Sequence, residues 1–189
     1  MSLIMDNDRT SRWELISRQK VVLFLCGFLG FLLLIFRSEP GFVFMVDHAN
    51  LLFHEAGHPI YGLLGPTLGL YGGTMGQLTF PVILAISFYR KANPIGFAAA
   101  GIWFFENWLN ISRYMADARA QALPLVGGGE HDWFNIFGRW HVLGHDFRIA
   151  SYVKTTGWVG MFVFVAWFCW VAFSQRHLKP NNESRFELP

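Results

Sequence analysis

The sequence contains little charge for a chain of 189 residues. Asp, Glu, Lys and Arg together make up 15% of it, whereas about a quarter of an ordinary soluble domain is charged. Hydrophobic residues reach 53% and aromatic residues 17%. The shortage of charge excludes an ordinary soluble domain and predicts a membrane protein.

Cysteine is also scarce. The two cysteines, Cys26 and Cys169, both lie in apolar runs, so they provide neither a disulfide framework nor a Cys-x-x-Cys metal clamp. The net charge is only +2, and no basic cluster with interleaved aromatic residues occurs, which excludes a nucleic-acid-binding role. The expected partners are the lipid bilayer and a membrane-associated peptide or lipid substrate.

Apolar segments divide the chain into expected transmembrane helices. They cover residues 21–36, 41–65, 77–89, 94–111 and 155–173. The expected fold is an all-α polytopic membrane protein with four to five transmembrane helices. A polar N-terminal segment, 1–20, and a polar tail, 176–189, flank a single helical membrane domain, 21–175. Lys and Arg are more numerous on the N-terminal side of these spans, which predicts a cytoplasmic N-terminus.

The second segment contains a His-Glu-x-x-His pattern. On a helix, His54 and His58 lie one turn apart on one face, so both imidazoles reach one ion. Glu55 is placed to take a proton from a metal-bound water. The alternative is a chance match in a metal-free helical scaffold, but ionisable groups at membrane depth are costly and usually mark a functional site. The pattern predicts a zinc site for hydrolysis with Glu55 as the general base.

A glycine-rich stretch follows the motif at residues 65–76 and contains no charge. Non-helical backbone at membrane depth is tolerated where it is buried in protein or lines a cavity. The stretch therefore predicts a re-entrant loop beside the metal site, with a plain short connector as the alternative.

The fourth expected helix has a polar stripe. Residues spaced by three or four positions share one face of a helix, and here they are Asn107, Asn110, Tyr114, Asp117 and Gln121. The stripe is expected to face the motif helix. Asn107 and Asn110 would then orient a substrate or an oxyanion, or simply hydrogen-bond the helices together.

The order of these features resembles the site-2 protease class of intramembrane zinc metalloproteases, over residues 50–117. In that class a glycine-rich re-entrant segment follows the His-Glu-x-x-His helix. A later helix then supplies an aspartate as the third zinc ligand, a few residues after an asparagine. The resemblance implies a zinc peptidase whose third ligand is Asp117. The class usually has Leu-Asp-Gly at this point, where this chain has Ala116-Asp117-Ala118.

A second pair of residues competes with Asp117 for this role. His131 and Asp132 follow three glycines in the polar connection expected over residues 124–152, and either one folding back would reach the metal or support a ligating histidine. Helices with level starts would leave Asp117 about two turns deeper than His58, whereas the resemblance favours Asp117. Three more polar residues of this connection receive no role: His141, His145 and Asp146.

Two other functions stay open alongside the peptidase. The same zinc site would suit hydrolysis of a lipid amide or ester, since no peptide-binding domain is recognisable in the sequence. The seven histidines also allow a haem or copper protein without catalysis, although haem ligation does not require Glu55 between two histidines.

Overall fold

The computed structural model describes residues 12–38, 43–126 and 130–177. Within these ranges the protein is entirely helical and has no strand, which confirms the all-α prediction. Most of the predicted N-terminal segment and the tail after residue 177 lie outside the described residues. The helices are α1 (Arg18–Arg37), α2 (Phe44–Gly62), α3 (Pro66–Arg90), α4 (Pro94–Ala116), α5 (Asp132–Arg139) and α6 (Asp146–His177), with a 3-10 turn at Leu143–His145.

Three helices in the described ranges are long and apolar enough to cross a membrane. They are α1, α3 and the stretch Leu143–Arg176, which includes most of α6. Large apolar side chains on these helices are exposed, among them Leu23, Leu33, Ile83 and Phe162, as expected where lipid replaces water. The helices α2 and α4, which were also expected to span the membrane, are not among the three.

The start and the end of the described chain meet on one side of the molecule. The N–H of Glu14 donates to the carbonyl of Ala92 between α3 and α4, at 2.9 Å. The side chain of Gln175, near the end of α6, hydrogen-bonds the backbone of residues 13, 14 and 16. We call this side the terminal end, and the opposite side, where α4 leads into α5, the α5 end.

The glycine-rich stretch is helical and does not form the predicted re-entrant loop. It makes up the first turns of α3, which continues through Pro81 to Arg90. The turn before α3 is made by Gly65, whose φ of 124° favours glycine, and Pro66 follows in the first turn of the helix.

Close contact between α2 and α3 explains these glycines. A Cβ atom on Gly57 would overlap the carbonyl group of Gly72, and one on Gly73 would overlap the imidazole of His54. Small residues allow two helix backbones to approach closely. The glycines therefore bring α3 directly against the face of α2 that carries the motif.

The polar connection expected over residues 124–152 contains α5 and the first turns of α6. The apolar side of α5, with Trp133, Ile136 and Phe137, packs against Ile111 and Met115 of α4. This packing fixes the first residue of α5 against the end of α4.

Candidate metal site

Two histidines and an aspartate converge at the α5 end. The Nε2 atoms of His54 and His58 lie 2.9 and 3.2 Å from the same Oδ2 atom of Asp132. One ligand atom from each residue lies within 4.8 Å of the others. His54 and Asp132 are buried, and His58 is half-buried. Helix α2 supplies the histidines one turn apart, as predicted, and the first residue of α5 supplies the carboxylate.

The second nitrogen of each imidazole has its own partner. Nδ1 of His58 lies 2.9 Å from the carbonyl oxygen of Gly69. A carbonyl only accepts hydrogen bonds, so this Nδ1 carries the hydrogen. Nδ1 of His54 lies 2.8 Å from Oε1 of Gln77, again an acceptor. In the neutral form of each ring, Nε2 therefore carries a lone pair that is directed at Asp132.

Three electron-pair donors that face one another require positive charge between them. Two imidazole lone pairs and a carboxylate repel unless a cation lies among them or an imidazole takes up a proton. Catalytic zinc sites typically have three protein ligands of these types, with a hydrogen-bond partner behind each histidine. The donor set of His54, His58 and Asp132 therefore fits a zinc ion.

Asp117, which the resemblance favoured as the third ligand, lies outside this group. Its two carboxylate oxygens accept hydrogen bonds from the backbone N–H groups of Ala122 and Leu123, at 2.9 and 3.0 Å. It thereby closes the turn that follows α4. The structure brings the alternate residue, Asp132, to the histidines instead, because α5 folds back over the end of α4.

His131 precedes Asp132 and caps the helix that begins there. Its Nδ1 accepts the N–H of Phe134 at 3.2 Å and caps α5, while its Nε2 lies 3.5 Å from a carboxylate oxygen of Asp117. Burial lowers the pKa of His131 below its usual value, although the carboxylates of Asp117 and Asp132 act in the opposite direction. The hydroxyl of Tyr114 accepts the N–H of Asp132 at 3.1 Å. These contacts hold the Asp132 backbone in place.

A cavity of about 760 Å³ opens beside the three residues. Glu55 lines this cavity together with His54, His58 and Asp132, which places the predicted base in the same space as the donor set. Another part of the wall is apolar and consists of Leu51, Leu70 and residues 123–126. The cavity therefore suits a substrate that has both polar and apolar groups.

The two asparagines of the predicted stripe bond to a residue that the sequence reasoning missed. The Nε2 atom of Gln77 donates to the Oδ1 atoms of Asn107 and Asn110, at 3.2 and 3.3 Å. Asn107 is fully buried, whereas Asn110 lines the cavity. The signal for Gln77 was an amide side chain just after Gly73 and Gly76 in a mainly apolar segment.

Contacts through α4 connect the site to the first half of α6. The last charge before the uncharged part of this helix is Lys154, and Gly157 follows about one turn later. Gly157 packs against residues 105–109 of α4. Asn107 in that stretch bonds Gln77, which contacts the motif helix. These contacts connect the donor set to the first half of α6, near Lys154.

Comparison with protein-family models, with curated proteins and with solved structures finds no match for this chain. The chemistry of the site must therefore follow from its own residues and their geometry.

Proposed function

We propose that this protein is a zinc-dependent hydrolase of the membrane surface, and specifically a peptidase. His54, His58 and Asp132 bind the metal, and Glu55 is the general base. The observation that carries this proposal is the convergence of two imidazole nitrogens and one carboxylate beside a cavity that Glu55 also lines.

Each part of the proposed reaction is assigned to particular side chains of the site. Bound zinc would lower the pKa of a water molecule to about 7. Glu55 takes up a proton in the cavity and returns it to the leaving group. His54 and His58 hold their ring orientation through their Nδ1 partners, and Asp132 supplies negative charge from α5. The resemblance to site-2 proteases supports the peptidase reading, although the third ligand in this proposal is Asp132.

The depth of the site supports a scissile bond at the membrane surface. Tyr114, which accepts the N–H of Asp132, belongs to the same apolar cluster as Ile149 and Val153, next to the charged Lys154, so a bond next to the bilayer would reach the site more easily than one at the bilayer centre. The sequence predicts a cytoplasmic N-terminus, and because the N-terminal residues lie at the terminal end, the α5 end would then be on the other face. An impermeant maleimide reacting with Leu125→Cys from that face, with Cys26 and Cys169 replaced by serine, tests the orientation.

Zinc loading and hydrolysis by wild type and Glu55→Gln test the function. Protein stripped by a chelator and reloaded with zinc is assayed with fluorogenic peptide libraries and with fluorescent ceramide and phospholipid in bicelles. Glu55→Gln should keep zinc but lose about 10²- to 10⁴-fold in rate, because an amide cannot accept the proton.

Each possible result of this test leads to a definite conclusion about the role of the site. Loss of zinc from Glu55→Gln would make Glu55 a ligand and overturn the proposed roles. Wild-type protein that binds no zinc would leave only a His54–Asp132 ion pair. Hydrolysis of the lipids alone would assign the site to the lipid amide or ester class.

A further inference from the structure

We propose that a buried chain of amide side chains behind His54 determines which of its ring nitrogens binds the metal, with Gln77 as the positioning residue. This inference rests on the proposed metal site. It extends that site to residues that contact neither the donor set's carboxylate nor the proposed water.

One branch of the chain begins at a carboxylate. Oδ1 of Asp47 lies 2.5 Å from Nδ2 of Asn110. When Asp47 is ionised, its carboxylate only accepts hydrogen bonds, so the NH₂ group of Asn110 points toward Asp47. The Oδ1 atom of Asn110 is thereby turned toward Gln77, 3.3 Å from its Nε2.

The second branch begins at a backbone carbonyl. The carbonyl oxygen of Trp103 accepts from Nδ2 of Asn107 at 2.9 Å, which turns Oδ1 of Asn107 toward Nε2 of Gln77, at 3.2 Å. Both branches therefore start from groups that only accept, and both require the NH₂ group of Gln77 to face the asparagines. Two independent constraints thus agree on one orientation of the Gln77 amide.

This orientation fixes the tautomer of His54. Because the NH₂ group of Gln77 faces away, its Oε1 atom faces Nδ1 of His54 at 2.8 Å, and Nδ1 must carry the hydrogen. The reversed amide would place N–H groups against Nδ1 and move the ring hydrogen to Nε2, where it would point at Asp132 and block metal binding. Asp47, Gln77 and Asn107 are all buried, while Asn110 is half-buried and lines the cavity.

His58 provides an internal comparison. Its Nδ1 faces the carbonyl oxygen of Gly69, which is part of the backbone and cannot reverse. Only His54 depends on a side chain whose two ends can exchange places. This difference explains why the protein buries several amide groups on the His54 side of the donor set.

Substitutions at Gln77 test the inference. Gln77→Leu removes the acceptor and should weaken zinc binding about 10- to 100-fold, with a changed visible absorption spectrum of the Co²⁺-loaded protein. Gln77→Glu keeps an acceptor toward Nδ1 but cannot donate to the asparagines. It should lower the unfolding temperature and yet hold zinc with nearly wild-type affinity. Asn135→Leu removes an amide that lines the cavity but bonds Glu130, and it should change neither property.

The variants separate this inference from the function itself. Unchanged zinc affinity and an unchanged Co²⁺ spectrum in Gln77→Leu would overturn it, as would an affinity in Gln77→Glu that falls as far as in Gln77→Leu. If Gln77→Leu does not fold, Asn110→Leu removes one branch and should weaken zinc binding by a few-fold, and no change would overturn the inference. A wild-type protein that binds no zinc would instead reject the proposed function.

Discussion

The two ends of the molecule are held together by different interactions. At the terminal end, Trp13 and Ile16 pack with Phe168 and Val171 of α6, and the rings of Trp13 and Trp167 meet edge to face at 5.0 Å. At the α5 end, the apolar cluster around α5 lies beside buried polar residues that are hydrogen-bonded, and these include Asp47, Asn50, His54, Gln77, Glu106, Asn107 and Asp132.

Because of this difference, we expect the terminal end to contribute mainly to the stability of the fold and the α5 end to the chemistry of the metal site. Apolar packing tolerates exchange between side chains of similar volume, so the apolar cluster at the terminal end needs only side chains of the right size and polarity. Amide and imidazole groups require a partner in a particular direction. The α5 end therefore depends on the identity of individual residues, as expected for a site that must hold its donors in one arrangement.

Loss of the Asp132 carboxylate should have the largest effect on the α5 end. Asp132→Ala is expected to weaken zinc binding by more than about 100-fold, because a ligand contributes more than the outer partners of a metal site. Asp117→Asn should weaken it less than about tenfold, since Asp117 lies in the turn after α4. Competition with a chromophoric chelator measures both affinities.

The relative zinc affinities of these two variants show whether the third ligand is Asp132, as the geometry indicates, or Asp117, as the resemblance implies. A larger loss in Asp117→Asn would assign the third ligand to Asp117 and contradict the arrangement seen here. His54→Ala combined with His58→Ala should abolish zinc binding in either case, which makes the double variant a suitable reference.

The contact between α2 and α3 should be the next most sensitive feature. Gly57→Ala places a Cβ atom against the carbonyl of Gly72, so the helices must separate. The unfolding free energy should fall by about 1–3 kcal/mol, and zinc binding should weaken because Gly73 contacts His54 on the same interface. Gly27→Ala in α1 is the matched control, because nothing lies within 4 Å of its Cβ position. Equal losses in both variants would contradict this role.

Apolar packing at the terminal end should affect stability alone. Phe168→Ala is expected to lower the unfolding free energy by on the order of 2 kcal/mol, from the cavity it leaves. Zinc affinity should stay the same, because Phe168 belongs to the opposite cluster. A parallel fall in zinc affinity would show that the two ends are coupled.

The exposed histidines after α5 should have the smallest effect. His141 and His145 lie outside the donor set, and both are exposed. Replacing both with alanine should change stability by less than about 0.5 kcal/mol and leave the zinc content unchanged. A lower zinc content by elemental analysis would indicate a second metal site at this surface.

The sequence predicted the arrangement of residues within one helix, but it did not predict residues that are brought together by packing between helices. His54 and His58 are one turn apart on any helix, so their common face was predictable. The position of Asp132 depends on α5 packing against Ile111 and Met115, and no periodicity in the sequence reports that contact. The resemblance therefore outweighed Asp132 in the choice of the third ligand.

The glycine-rich stretch was misread because glycine has two opposite uses. It loosens a backbone in loops, but it also permits close approach between helices. The sequence of the glycine-rich stretch does not distinguish these two uses, because it does not show that Gly57 of another helix packs against it. Gln77 was missed for a related reason, since its role depends on Asn107 and Asn110 of another helix.

The separation of the ligands along the chain has a further consequence. His58 and Asp132 are roughly 75 residues apart, so an ion bound between them would act as a removable cross-link in a protein whose cysteines, Cys26 and Cys169, are both free. On the scale used for disulfides, closing a loop of this length lowers the conformational entropy of the unfolded chain and stabilises the folded protein by at most about 4.5 kcal/mol. Helices already anchored in a bilayer would reduce that figure. The lifetime of the folded protein would then follow the zinc supply of its compartment, even when no substrate is present.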